Sequence, residues 1–171
     1  MENASKALIM AAGVLIGILI LSLAVYLFTT FGATSAELHR QNDANRINQF
    51  NTQFTSYEAK QGITIYDVVT VANLATENNI YYELPKVQGV ISNNNYSEFY
   101  VQVNLKNDKY NGPIEKAYEQ NTINSKINYD EIILNDTQKI TENAALKEYN
   151  CKTYTSNITQ RVYRVDFTEN N

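Results

Sequence analysis

An apolar run near the N-terminus, residues 7–31, constrains this chain more than any other feature. It holds no charged residue, and its most polar members are Ser22, Thr29 and Thr30. At about 1.5 Å of rise per residue, a helix of this length crosses a hydrocarbon core of about 30 Å. A soluble core helix would carry a polar stripe, which this run lacks. We therefore predict a transmembrane helix, with the lipid bilayer as its partner.

The same run could belong to a cleavable signal peptide or to a multi-span protein. A signal peptide has a shorter apolar region, of about 7–15 residues, before a small-residue cleavage site. The small residues of 33–36 resemble such a site, but the run before them is too long. No second long apolar run follows Phe31. A single, uncleaved signal-anchor span is the prediction.

The orientation depends on the two flanks of the span. Lys6 is the only basic side chain before it, and Arg40 and Arg46 beyond it have acidic neighbours, so the Lys and Arg asymmetry is small. The remainder is polar, acidic and contains a single cysteine, which favours an exported part. We expect a single-pass protein of the cell membrane with a cytoplasmic N-terminus and an extracytoplasmic C-terminal domain.

Two short patterns indicate helix contacts. Gly13 and Gly17 form a GxxxG pattern, which lets a second helix approach closely in lipid, although glycine is common in such spans. Beyond the membrane, apolar residues recur at helical spacing on one face, which would pack on a sheet or pair with a copy of itself, with packing inside the chain favoured. That stalk packing face consists of Ala44, Ile47, Phe50, Phe54 and Tyr57.

The rest of the chain predicts a second helix and then strands. Thr64 and Asp67 resemble a capping box, and Gly62 ends the preceding helix. The buried stripe of the second helix would be Ile65, Val68, Val69, Ala72 and Ala75, with Leu74 beside it and Asn78 and Asn79 at its end. Alternation predicts a strand over 99–105, a turn over 107–113, a short strand over 130–134, a short helix over 114–120 or 141–147, and a hairpin of 149–154 with 160–167.

These patterns define an α+β fold in which a transmembrane helix continues into an amphipathic helix, followed by a short helix and a small, mostly antiparallel sheet. After the span is removed, the length suffices for one modest domain. The predicted segments are a cytoplasmic stub (1–6), a transmembrane helix (7–31), an amphipathic helical stalk (32–61) and an extracytoplasmic α+β domain (62–171).

Residues that could carry chemistry are few. His39 and Cys151 are the only histidine and cysteine, so the ligand cluster of a zinc site is missing. Cys151 is interpreted as a buried, inert thiol, with an intermolecular disulfide as the other option. Adjacent Asp130 and Glu131 would point to opposite faces of a strand. The turn that begins at Asn107 lacks the oxygen ligands of a calcium loop.

These observations argue against whole classes of function. A net charge of −4 without a basic cluster argues against nucleic-acid binding. Phosphate-binding loops and nucleophile-elbow or zinc-protease motifs are absent from the sequence. We predict a non-enzymatic protein with no catalytic residue, cofactor or metal.

The opening segment, together with residues 51–58 and 67–73, resembles a group of uncharacterised single-span proteins of low-GC Gram-positive bacteria, and this resemblance implies no activity. The layout is also similar to type IV pilins, in which an apolar helix runs into an amphipathic half that packs on a sheet. The leader of that family is a basic segment ending in Gly, with Glu inside the apolar run. Here Glu2 precedes the run, so only the layout supports this analogy.

Two hypotheses about function follow. The first is a structural or assembly subunit, pilin-like in layout, of a cell-surface or secretion-type apparatus, which would form homo-oligomers through the span and the stalk. The second is a membrane-anchored binding or accessory module of an envelope or mobile-element export complex, held by a dissimilar membrane-complex partner.

Overall fold

A computed structural model describes residues 2–85, 87, 89–91, 98–115, 132–133 and 147–170. The chain divides into two compact units, Met1–Arg46 and Ile47–Asn171. The fold is α+β, as predicted. Its elements are α1 (Glu2–Thr55), α2 (Ile65–Tyr81), β1 (Gln102–Lys106), β2 (Asn111–Pro113), β3 (Tyr149–Thr155) and β4 (Val162–Glu169).

The first unit consists of helix, the portion of α1 up to Arg46. Its described side chains are exposed, apart from half-buried Ala24. By length and composition, α1 is able to cross a membrane, a property that a signal sequence shares. The helix continues through Gly32 because one glycine costs only about 1 kcal/mol relative to alanine.

In the second unit, α1 ends at Thr55 and a turn follows, so the helix stops before the predicted end near Gly62. The predicted cap of α2 is confirmed. The backbone N–H of Thr64 donates to Asp67 Oδ2 at 3.1 Å, and Asp67 Oδ1 accepts from Lys60 Nζ at 2.7 Å. The carboxylate thus accepts a hydrogen bond from a backbone N–H at the start of the helix and forms an ion pair with Lys60.

The buried face of α2 differs in part from the predicted stripe. Val69 is half-buried, whereas Val71 is fully buried, because the face in contact with the rest of the domain is turned toward Val71 and away from Val69. The helix also runs past the predicted end to Tyr81. Buried Asn79 accepts from the N–H of Val101 at 2.9 Å and donates to its carbonyl at 2.8 Å, which fixes α2 against the start of β1.

The four strands form one sheet in the order β2-β1-β4-β3. β1 pairs with β2, and β3 with β4, in antiparallel fashion, which confirms the predicted C-terminal hairpin. β1 and β4 run parallel, with Val103 opposite Val165 and Leu105 opposite Phe167, so the sheet is mixed. Because β1 and β4 are far apart in sequence, no local sequence pattern predicts that they pair.

Three local predictions need correction or fall outside the described residues. Part of the predicted turn over 107–113 is strand β2, since Asn111–Pro113 pairs with β1. Ile132 and Ile133 are helical, so they do not form the predicted short strand. The other residues of 130–134, and most of the helix predicted over 114–120 or 141–147, lie outside the described residues.

The core lies between the sheet, α2 and the last turns of α1. Its largest cluster includes fully buried side chains from every one of these elements, among them Phe54, Val68, Val103, Val165 and Phe167. Burial of apolar surface is the main favourable term in folding. The C-terminal end of α1 is therefore part of the domain core.

Candidate functional site

The predicted stalk packing face divides by position along the chain, and its last member, Tyr57, lies beyond the end of α1. Phe54 is fully buried, while Ile47, Phe50 and Tyr57 are half-buried and Ala44 is exposed. Phe50 and Tyr57 pack against the core cluster. In the second unit, Phe50, Phe54 and Tyr57 of this face therefore contact the core of their own domain.

The turn between β3 and β4 is held by a side chain of α1. Asn51 Oδ1 accepts from the N–H of Val162 at 2.8 Å, and Asn51 Nδ2 donates to the carbonyl of Gln160 at 2.6 Å. Gln160 has a left-handed backbone, with φ of 60°. Sequence reasoning missed Asn51, because nothing distinguishes it among the many asparagines of the chain.

Arg161, in the same turn, lies in an aromatic environment. Its guanidinium carbon is 3.8 Å from the ring centre of Phe50, 5.2 Å from that of Phe99 and 6.0 Å from that of Tyr82. Its Nη2 donates to Asn78 Oδ1 at 3.3 Å. Such a cation over aromatic faces contributes about 0.5–2 kcal/mol, and here it joins the hairpin to both helices.

A second contact closes the outer side of β3. The carboxylate of Glu58 accepts from the N–H of Thr153 at 2.5 Å. The carbonyl of Ile63 accepts from the N–H of Tyr149 at 2.9 Å. The segment after α1 therefore runs beside the edge strand of the sheet.

Buried polar side chains join β1 to the loop before it and to the segment after β2. Gln102 is fully buried, accepts from the N–H of Ile91 at 2.7 Å and donates to the carbonyl of Gly89 at 2.8 Å. Fully buried Glu115 accepts from the Tyr100 hydroxyl at 3.0 Å and from the N–H of Val103 at 2.9 Å. These bonds satisfy groups whose burial is otherwise costly, which indicates a structural role.

The side chains that could take part in catalysis or metal binding are not grouped among the described residues. Cys151 is half-buried, and burial, assisted by the negative charges of Glu58 and Asp166, raises the pKa of its thiol to about 12. His39 is exposed on α1, and Asp130 and Glu131 lie outside the described residues. Among the residues that the structure describes, no three His, Cys, Asp or Glu side chains are grouped to hold a metal.

Gly13 and Gly17 lie on the exposed part of α1. A Cβ atom built on either residue would meet no atom within 4 Å apart from those of its own helix backbone. The surface around both glycines is therefore open, as a close helix–helix contact in lipid requires.

Comparison of the chain with protein-family models, curated proteins and solved structures yields no match. The geometry alone defines the candidate site, which is a set of contact surfaces.

Proposed function

We propose that this chain is a non-enzymatic, single-pass membrane protein that acts as a structural or assembly subunit, pilin-like in layout, of a cell-surface or secretion-type apparatus. The observation that carries the proposal is the extent of α1. This one helix contains the apolar run of residues 7–31 and also Phe54, a fully buried residue of the domain core. The apolar run and a residue of the domain core therefore belong to the same helix.

The surfaces available for assembly support the proposal. The apolar face of α1 in the second unit is occupied by its own core, whereas Gly13 and Gly17 are open. In lipid, small residues one turn apart favour close helix packing. We therefore place the contact between copies in the transmembrane segment, in a chain whose N-terminus is cytoplasmic.

The environment of Cys151 supports the non-enzymatic part of the proposal. A nucleophilic cysteine needs a lowered pKa, and the pKa of Cys151 is raised to about 12. Its half-buried position also places the thiol against the core.

The test is the oligomeric state of the full chain in mild detergent and in lipid nanodiscs. Gly13→Leu should abolish self-association because the added side chain prevents close helix approach. Ala11→Leu is the matched control, since residue 11 lies on the opposite side of the helix, and it should leave self-association unchanged.

A strictly monomeric wild-type chain would contradict the proposal. Cross-linking in native membranes that recovers a dissimilar protein and no self-crosslink would instead support the accessory-module hypothesis.

A further inference from the structure

We propose that Ser56–Ile63, which we name the edge guard, closes the outer edge of β3 against pairing with β3 of a second copy. Among the described residues, β3 is the last strand of the sheet, with β4 on one side only. The free side of an edge strand presents backbone groups that can template pairing with another chain. This inference goes beyond the proposed function and does not depend on it.

The bridge at Tyr149 shows which residues face the open side. The N–H of Tyr149 donates to Ile63, which lies outside the sheet. In an antiparallel strand, successive residues direct their backbone groups to alternate sides. Cys151 and Thr153 therefore direct their backbone groups outward as well, up to the irregularity in pairing between Tyr154 and Thr155.

Glu58 occupies the middle of this open side. Its carboxylate accepts from the N–H of Thr153, in the position that the carbonyl of an added strand would take. A hydrogen bond to a charged acceptor is stronger than one to a neutral carbonyl. Among the described residues, no hydrogen bond reaches the outward backbone groups of Cys151. The bond from Thr153 to Glu58 is therefore the one that blocks the middle of the strand edge.

The edge guard is itself fixed in place. Lys60 Nζ lies 2.7 Å from Asp67 Oδ1 at the start of α2 and 5.7 Å from the ring centre of Tyr57. Tyr57 packs against the core. The guard is thus anchored to α2 and to the core, which holds Glu58 at the strand edge.

The excluded partner is a second copy because the open stretch is self-complementary. Ile63 already pairs at Tyr149, and among the described residues no further strand lies beside the outer side of β3 around Thr153. Antiparallel pairing of two copies would place Thr153 opposite Thr153, in a symmetric contact. In that arrangement, two Glu58 carboxylates would compete for the same N–H groups and repel each other.

The test uses the full chain in detergent with Glu58→Ala, and Glu58→Gln as the conservative variant. Hydrogen exchange at the Thr153 amide, measured at a protein concentration too low for pairing through β3, should become about tenfold faster or more in Glu58→Ala, because a bond to a charged acceptor is lost. Glu58→Gln retains an acceptor oxygen and should exchange more slowly than Glu58→Ala. Glu77→Ala removes an exposed carboxylate of α2 and is the matched control.

Pairing is detected by a cysteine at the centre of the edge. In a Cys151→Ser, Thr153→Cys background, Glu58→Ala should form a 153–153 disulfide dimer under mild oxidation, because paired residues have Cα atoms about 5.5 Å apart. The Cys151→Ser, Thr153→Cys protein that retains Glu58 should not form this dimer. Thr70→Cys, on the exposed side of α2 and in a Cys151→Ser background, is the control that measures disulfide dimers formed by random collision.

Two results would overturn the proposal. One is unchanged exchange at Thr153 in a folded Glu58→Ala protein, and the other is faster exchange without any gain in the 153–153 dimer. Neither result bears on self-association through Gly13, so failure here and failure of the proposed function are distinguishable.

Discussion

At the scale of single residues, the domain depends on polar side chains that complete backbone hydrogen bonds. Asn51, Glu58 and Asn79 each pair with the backbone of a strand or turn distant in sequence. A buried backbone group without a partner costs about 1–3 kcal/mol. These side chains therefore determine how the helices and the sheet fit together.

Asn51→Ala should lower the free energy of unfolding of the domain by about 1–2 kcal/mol, because the N–H of Val162 and the carbonyl of Gln160 both lose their partner. Asn48→Ala, at an exposed position of the same helix, is the control and should change stability little. The measurement is urea unfolding of the full chain in detergent, followed by tyrosine fluorescence. Equal stabilities of the two variants would contradict this role of Asn51.

Such contacts lie beyond what residue patterns predict. Periodicity in α1 identified Phe54 as apolar and inward-facing, but periodicity carries no information about which asparagine meets a turn more than a hundred residues away. The interpretation of Cys151 as an unreactive thiol agrees with its raised pKa. The prediction rested on the general tendency of free cysteines to be buried and unreactive. The sequence does not show that Glu58 and Asp166 lie near the thiol and help to raise its pKa.

At the scale of elements, the start of α2 combines a cap with an ion pair. Burial alone would raise the pKa of the Asp67 carboxyl. The hydrogen bonds from Lys60 and Thr64, with the charge of Lys60, outweigh burial and hold the pKa below its ordinary value of 3.8. A carboxyl whose pKa is lower in the folded state stabilises the fold above its unfolded pKa, and that contribution is lost as the pH falls through the folded pKa.

Asp67→Ala should therefore destabilise the domain by about 1 kcal/mol at pH 7, the usual magnitude for loss of a capping group. The difference from wild type should shrink below about pH 4, where the wild-type carboxyl also becomes protonated. Urea unfolding of both proteins between pH 3 and pH 7 is the measurement, with Glu77→Ala as the exposed control. A difference that does not change with pH would show that the charge of Asp67 is irrelevant.

Elements with strong local signals were predictable, and pairings between them were not. The cap at Thr64 and the hairpin of β3 with β4 follow from neighbouring residues, and both are confirmed. The sequence predicts a turn where the structure has β2, because Gly112 and Pro113 are typical of turns. The parallel pair of β1 with β4 depends on tertiary packing, for which the sequence offers no period.

At the scale of the whole molecule, orientation in the membrane is the property on which the proposed function depends. We expect the chain to be a single-pass protein with residues 1–6 in the cytoplasm and the domain outside. Labelling of single cysteines tests this orientation.

Ile158→Cys in a Cys151→Ser background places one thiol at a position where the native side chain is 82% exposed. A membrane-impermeant maleimide should label this thiol in intact cells. Ser5→Cys in the same background should react only after permeabilisation, because residue 5 precedes the span. The reverse labelling pattern would place the domain in the cytoplasm and contradict a role in a cell-surface apparatus. Labelling of both thiols only after permeabilisation would show that the apolar run of α1 does not span the membrane.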